Sequence, residues 1–140
     1  MQLGELENSL PNGFHDADLE GIELDYTART VLMKMQLWVG KLDGSTEEER
    51  EAYRRAELDL TGVLYFVIDA PDPSYKYSEK GALWLDAGDA RVTRGSVQAA
   101  PTPPIPVEDL PDGAFAYWFF VDNWNSFIHV AAMSAALRWV

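Results

Sequence analysis

The sequence predicts a mainly β protein: one domain over residues 1–140, folded as an antiparallel β-sandwich or open barrel with one short helix near 46–55. Three observations predict it. Apolar and polar residues alternate with period two over several short stretches, which is the strand signature. Glycine-, proline- and Asp-rich strings separate those stretches by only a few residues, and many short strands with short links make an antiparallel sandwich or barrel. Finally, the chain has 140 residues, of which 47% are hydrophobic and 12% aromatic. That is the size of one domain, with enough apolar surface for a core.

The first strand carries its own irregularity. Ile22, Leu24 and Tyr26 share a face with Glu23 and Asp25 opposite, whereas upstream Leu19 is apolar between Asp18 and Glu20. The apolar phase changes parity at Gly21, and one inserted residue does this, so a β-bulge is predicted at Glu20–Gly21. Thr27-Ala28-Arg29 is short enough for a hairpin turn. The second strand then runs from Thr30 to Val39, with Val31, Met33, Met35, Leu37 and Val39 on one face.

Residues 40–55 break the alternation. Asp43-Gly44 is a turn signal; Ser45 with Glu48 has capping-box spacing, and acids at 47–49 suit a helix N-terminus. One or two helical turns are expected, with Ala52, Tyr53 and Ala56 as the apolar side. Leu58–Ile68 reads as a strand that becomes apolar on both faces after Gly62, and such a strand needs cover on both sides. Asp69-Ala70-Pro71-Asp72-Pro73-Ser74 ends it, because proline removes amide donors.

Ala82–Leu85 is expected as a short strand before a turn at Ala87-Gly88-Asp89, and Ala90–Val97 as a weaker strand. The proline-rich stretch Ala100–Pro111 reads as an extended connector. Pro111-Asp112-Gly113 is a turn. Phe115–Val121 is apolar on both faces, and Asp122–Asn125 looks like a hairpin loop into Ser126–Ala132. From there to Val140 alanine favours helix while Phe127, Ile128 and Val130 favour strand; a strand broken near Ser134 is the reading adopted.

Composition excludes several classes of function. The chain has no cysteine, which removes disulfides, thiolate nucleophiles and thiolate metal sites. Its net charge of −12 repels nucleic acid and anionic membranes. The longest apolar stretch, Ser126–Val140, contains His129, Ser134 and Arg138 and is too short to span a bilayer. The start, MQLGELENSL, lacks the basic and apolar regions of a secretory leader, so a cytoplasmic location is expected. There is no Gly-x-Ser-x-Gly, no GxGxxG and no phosphate-binding glycine loop.

Two sets of residues remain as candidates. Residues 1–29 hold seven acids and one base, Arg29. Of these, Asp18, Glu20, Glu23 and Asp25 form a surface row that would face a basic partner, with Trp124 as an aromatic anchor in a loop. Tyr75 and Tyr77 are further loop aromatics. Second, Leu10-Pro11-Asn12-Gly13-Phe14-His15-Asp16-Ala17 sets His15 and Asp16 at the mouth of the first strand. If both lie on that strand they point to opposite faces. His15 and His129, with a carboxylate from Asp16, Asp18 or Asp122, would be the ligands of a metal site, although nothing in their spacing brings the two histidines together. Glu23 and Asp25 share a strand face as a glycosidase pair would, but on the solvent side.

The strings Leu10–Ala17, Tyr53-Arg54 and Trp124-Asn125-Ser126-Phe127-Ile128-His129-Val130-Ala131 resemble a family of small uncharacterised bacterial proteins. The Phe-His-Asp-Ala start followed by an amphipathic strand is also similar to immunity proteins of bacterial toxin systems. The first resemblance implies no activity; the second implies a toxin-neutralising role for this chain.

The expected function is therefore a non-enzymatic, acidic protein-binding module without cofactor, engaging a basic protein or a second copy of itself. The alternatives are a small metal- or ligand-dependent enzyme using His15, Asp16 and His129, or a small-molecule-binding β-barrel with Trp38, Trp84 and Trp118 lining its pocket.

Overall fold

A computed structural model describes residues 1–74, 83–91 and 100–140. The strands are β1 (Ala17–Asp25), β2 (Thr30–Trp38), β3 (Tyr53–Thr61), β4 (Tyr65–Ile68), β5 (Leu83–Asp89), β6 (Phe115–Val121), β7 (Ser126–Ala132) and β8 (Ser134–Trp139). They form one antiparallel sheet in the order β4-β7-β6-β5-β1-β2-β3-β8. Its two terminal strands continue directly from inner ones: β4 follows β3 across Gly62, and β8 follows β7 across Met133. Hence the pairings β3–β8 and β4–β7 are successive stretches of one bent ribbon, and the sheet curls around a single core.

Side-chain period explains which residues fill that core. Val31, Met33, Met35 and Leu37 of β2 are at most 1% exposed, and Ala56, Leu58 and Leu60 of β3 face them. Phe115, Tyr117, Phe119 and Val121 of β6 close the other side, with Ile128, Val130 and Ala132 of β7 beside them. The predicted bulge is present: the β1–β2 register shifts between Leu19 and Gly21, so Ala17, Leu19 and Ile22 all turn inward. The hairpin turn at 26–29 is present as well.

Four expectations change. The helix α2 is a single turn, Glu47–Arg50, and its cap is Thr46, whose Oγ1 accepts from Glu49 N; Ser45 instead donates its N–H to the Glu49 carboxylate. Tyr53 and Ala56 belong to β3, not to a helix. The stretch Leu58–Ile68 is divided, because Gly62 takes φ +62 and bends the chain from β3 into β4. The expected turn at 87–89 is strand, the end of β5. The strand expected over Ala90–Val97 falls mostly outside the described residues, as do Tyr75 and Tyr77. Residues 126–140 are strand, with the break at Met133. A helix with no sequence-based expectation, α1 (Leu3–Ser9), buries Leu3 and Leu6 in the core.

A second aromatic cluster is buried on the outer face of β6 and β7. Trp118 and Phe120 are no more than 5% exposed, although they point away from the core residues of the same strand. Phe127 meets Trp118 edge-on at 5.7 Å and lies 5.1 Å from Phe120. A buried patch of this size on the outer face answers the double-sided apolarity of Phe115–Val121.

Candidate functional site

The Pro-Asn-Gly turn places the first functional side chain. Asn12 Nδ2 donates to the carbonyls of Trp38 and Gly40 at 3.0 and 2.9 Å, tying the turn to the end of β2. Gly13 takes φ +57 and Asp16 φ +54. His15 and Asp16 therefore sit in a turn before β1, so the opposed directions expected for strand neighbours do not apply. His15 Nε2 lies 3.5 Å from Asp16 Oδ2, and both side chains are about half exposed.

Two carboxylates that are remote in sequence join them. Strand β5 pairs with β1 through Ala17–Leu85 and Asp18–Trp84. Alternation along β5 sends Leu85 into the core and Trp84 and Asp86 outward. Asp86 Oδ1 then stands 3.8 Å from His15 Nδ1. Asp122, in the turn after β6, completes the group. Partial desolvation first, and then the charges of Asp86 and Asp16, push its carboxyl above the ordinary value, with His15 opposing. Burial and Glu20 likewise raise Asp18.

Aromatic side chains border these acids. Trp38 lies 6.1 Å from the His15 ring, and Trp84, 37% exposed, meets Tyr53 edge-on at 6.0 Å. Tyr53 donates its hydroxyl to Asp16 O, and Asn123 Oδ1 accepts from Trp84 N, which fixes the turn of Asp122 against β5. His15 is the one basic side chain that forms an ion pair with this group among the described residues.

The acidic row is arranged differently. Lys34 Nζ lies 2.7 Å from Glu23, and Arg55 Nε lies 3.3 Å from Glu20. Asp25 Oδ1 accepts from Ala28 N and closes the hairpin turn. Of the four, Asp18 alone is left to the acid–aromatic end. A shallow depression of about 590 Å³ beside the row is lined by Glu23, Asp25, Glu57, Asp59 and Arg138, and Arg138 pairs with Glu57. Trp124 is half-buried and packs against the core, so its ring is not an exposed anchor.

His129 is 6% exposed and its Nε2 lies 3.0 Å from Asp69 Oδ2. It shares no carboxylate with His15. Among the described residues no group of three or more His, Asp or Glu side chains is arranged to hold a metal ion. Trp38 and Trp84 border the acid end while Trp118 packs under Phe127; the inside of the curled sheet, where a barrel pocket would lie, is filled by aliphatic and aromatic side chains.

No protein-family model, curated protein or solved structure matches this chain. The geometry alone therefore carries the functional argument. Carboxylates with flanking aromatic faces suit a cationic group, since a guanidinium or ammonium gains ion pairs and ring contact together. Reasoning from sequence found His15 and Asp16, named Asp122 only as one possible carboxylate of a metal site with the histidines, and missed Asp86. The signal for Asp86 was present in the alternation of Leu83, Leu85 and Ala87 with Trp84, Asp86 and Gly88.

One further acid lies on helix α1. Glu7 of α1 accepts a hydrogen bond from the Tyr117 hydroxyl. Burial raises the Glu7 carboxyl above its ordinary value, with Asp86 and Asp89 adding to it. Burial and that same carboxylate push the Tyr117 phenol upward. This pair anchors α1 to β6.

Proposed function

We propose that this chain is a non-enzymatic binding module of the cytoplasm whose partner is a basic protein, and that its concrete role is to neutralise a toxin of that character. The observation that carries the reading is the concentration of Asp16, Asp18, Asp86 and Asp122 beside Trp84 and Tyr53, with His15 as their only ion-pairing base among the described residues. Like charges held close together cost stability, and a surface group that keeps them invites a cation. The net charge of −12 adds long-range attraction for a basic surface and speeds encounter. The absence of cysteine suits a reducing compartment, and no helix among the described residues is long and apolar enough to cross a membrane.

The test is affinity capture from the source cell at low salt with three baits: the native chain, Asp16→Asn/Asp86→Asn/Asp122→Asn, and Glu20→Lys/Glu23→Lys. The expected result is one basic protein retained by the native chain and by the second variant, released by salt and lost from the first variant. Equal retention of that protein by the triple variant, or retention insensitive to salt, refutes the reading.

A further inference from the structure

The two terminal strands of the sheet are treated differently. The edge of β8 is occupied by the chain's own N-terminus: Ala135 N donates to Met1 O, the Met1 amino group donates to Ser134 Oγ, and α1 lies alongside. The outer edge of β4 pairs with no strand among the described residues. Its four residues, Tyr65-Phe66-Val67-Ile68, carry no charge, and Val67 and Ile68 are 37% and 54% exposed. Uncharged, exposed edges template pairing with another chain, and proteins ordinarily blunt them with charge, proline or cover.

The hydrogen-bond phase fixes which groups are free. Asp69 N donates to Phe127 O, and Val67 pairs with His129. Alternation therefore commits Tyr65, Val67 and Asp69 to β7, and turns the N–H and C=O of Phe66 and Ile68 to the open edge. At the start of β4 the edge widens into a hollow of about 250 Å³ between the strand and the β1–β2 hairpin tip, lined by Leu24, Tyr26, Arg29, Val63 and Phe66 among others. Leu24 and Tyr26 are 52% and 77% exposed there.

We propose that this edge pairs with β4 of a second copy of the chain, antiparallel about a two-fold axis at Val67. Phe66 of one copy and Ile68 of the other then exchange reciprocal N–H···O bonds, the isologous arrangement that closes a dimer. Charge complementarity favours a second copy. Arg29 donates Nε and Nη2 to the carbonyls of Val63 and Leu64, which places its cation at the N-terminal end of β4. Asp69 and Asp72 lie at the C-terminal end, Asp69 paired with His129 and Asp72 accepting from Ser74 and Asn125, and both add negative charge there. The two-fold brings each Arg29 end against the partner's Asp69–Asp72 end, and Ala70 of the partner toward the apolar hollow. Asp25, the other charge at the hollow, is engaged by Ala28 N. Pro71 has no amide to extend the ribbon, which limits it to this strand.

The experiment is sedimentation velocity on the full chain over a micromolar-to-millimolar series, with Ile68→Lys and Ile68→Pro as variants. Position 68 keeps its side chain exposed and spends no amide on β7, so both variants leave the β4–β7 pairing in place. The native chain is expected to sediment as a dimer at the upper concentrations, and the variants to weaken association by about tenfold or more. A native monomer across the series, or a dimer undiminished in both variants, overturns the proposal. Amide exchange on the native chain decides the matter without any variant. The Phe66 and Ile68 amides become protected as concentration rises, while Val67 is protected throughout; protection of 66 and 68 that does not change with concentration overturns it equally.

Discussion

Replacing Gly88 by alanine tests how the outer layer holds β5, and with it Asp86 two residues back on the same face. Gly88 stands directly opposite Trp118 in the β5–β6 pair, and the indole lies across it. A Cβ at position 88 falls 2.2 Å from Cζ2, 2.5 Å from Cε2 and 2.9 Å from Cη2 of that ring. Carbon atoms rest at roughly 3.5–4.0 Å, so either the ring or the strand must retreat by more than about 1 Å. The ring has little room, being 2% exposed with Phe127 edge-on against it. Overpacking of this kind costs about 1–3 kcal/mol. The loss of unfolded-chain freedom on replacing glycine returns roughly 0.4–1 kcal/mol. A net destabilisation of about 1–2 kcal/mol is expected, read as a lower urea midpoint at unchanged slope. Trp118→Phe removes the colliding atoms together with an indole N–H that has no partner among the described residues. In that background Gly88→Ala should cost almost nothing, a coupling of about 1–2 kcal/mol in the double-mutant cycle. Loss of less than about 0.5 kcal/mol in the single variant, or equal losses in both backgrounds, refutes the steric account.

Three further outcomes follow from the charges. Glu7 has a folded-state pKa raised above its ordinary 4.5, so the folded state binds more protons in that window and stability falls as pH rises through it. Glu7→Gln keeps an acceptor for Tyr117, so thermal unfolding between pH about 5 and about 7.5 should show a flatter pH dependence and a higher neutral Tm; an unchanged profile counts against the burial of that carboxylate. Asp122→Asn should likewise stabilise at neutral pH, by no more than about 1 kcal/mol, the range of exposed charge pairs, and the gain should vanish on acidification. Asp69→Ala leaves the buried ring nitrogen of His129 unpaired and should cost about 1–3 kcal/mol, whereas Asp69→Asn keeps a partner and should cost less; a loss below about 0.5 kcal/mol in Asp69→Ala would mean the pair contributes nothing.

How much of this was legible in the sequence depended on whether one strand's own pattern carried the information. The bulge was legible because Leu19 and Ile22 cannot both face inward without an extra residue between them. The double-sided apolarity of Phe115–Val121 correctly announced a second buried layer. Strand β3 was partly hidden: Arg54, Arg55 and Glu57 resemble the polar face of a helix, and only pairing with β2 makes Ala56, Leu58 and Leu60 an inward row. Helix α1 was hidden because Leu3, Leu6 and Leu10 among acids make a weak stripe, whose helicity comes from docking on the core rather than from propensity. For the site, His15 and Asp16 stood out as a local string. Asp86 did not, and Asp122 stood only as a possible metal carboxylate, because what gathers them is the β1–β5–β6 pairing, a non-local fact.

The same pairing changes where the net negative charge should be felt. Sequence spacing gives weight to the row from Asp18 to Asp25, because its acids are consecutive on one strand. The fold spends most of that row: Glu20 and Glu23 are matched by Arg55 and Lys34 from the neighbouring strands, and Asp25 closes its own turn. At the opposite end of β1, strands β5 and β6 add Asp86 and Asp122 to Asp16, and among the described residues no lysine or arginine enters the ion pairs. A charge that a sheet neutralises across its own strands is worth little to a partner; one left beside aromatic faces is available to it. The two ends of β1 thus differ in kind: the hairpin end offers apolar surface and one arginine beside the open edge of β4, and the turn end offers carboxylates. A mutation at one should leave the other's behaviour intact, so the Ile68 variants should bind a basic partner as the native chain does, and the Asp16/Asp86/Asp122 variant should still self-associate. Loss of both properties in either variant would show that association and partner binding share a surface.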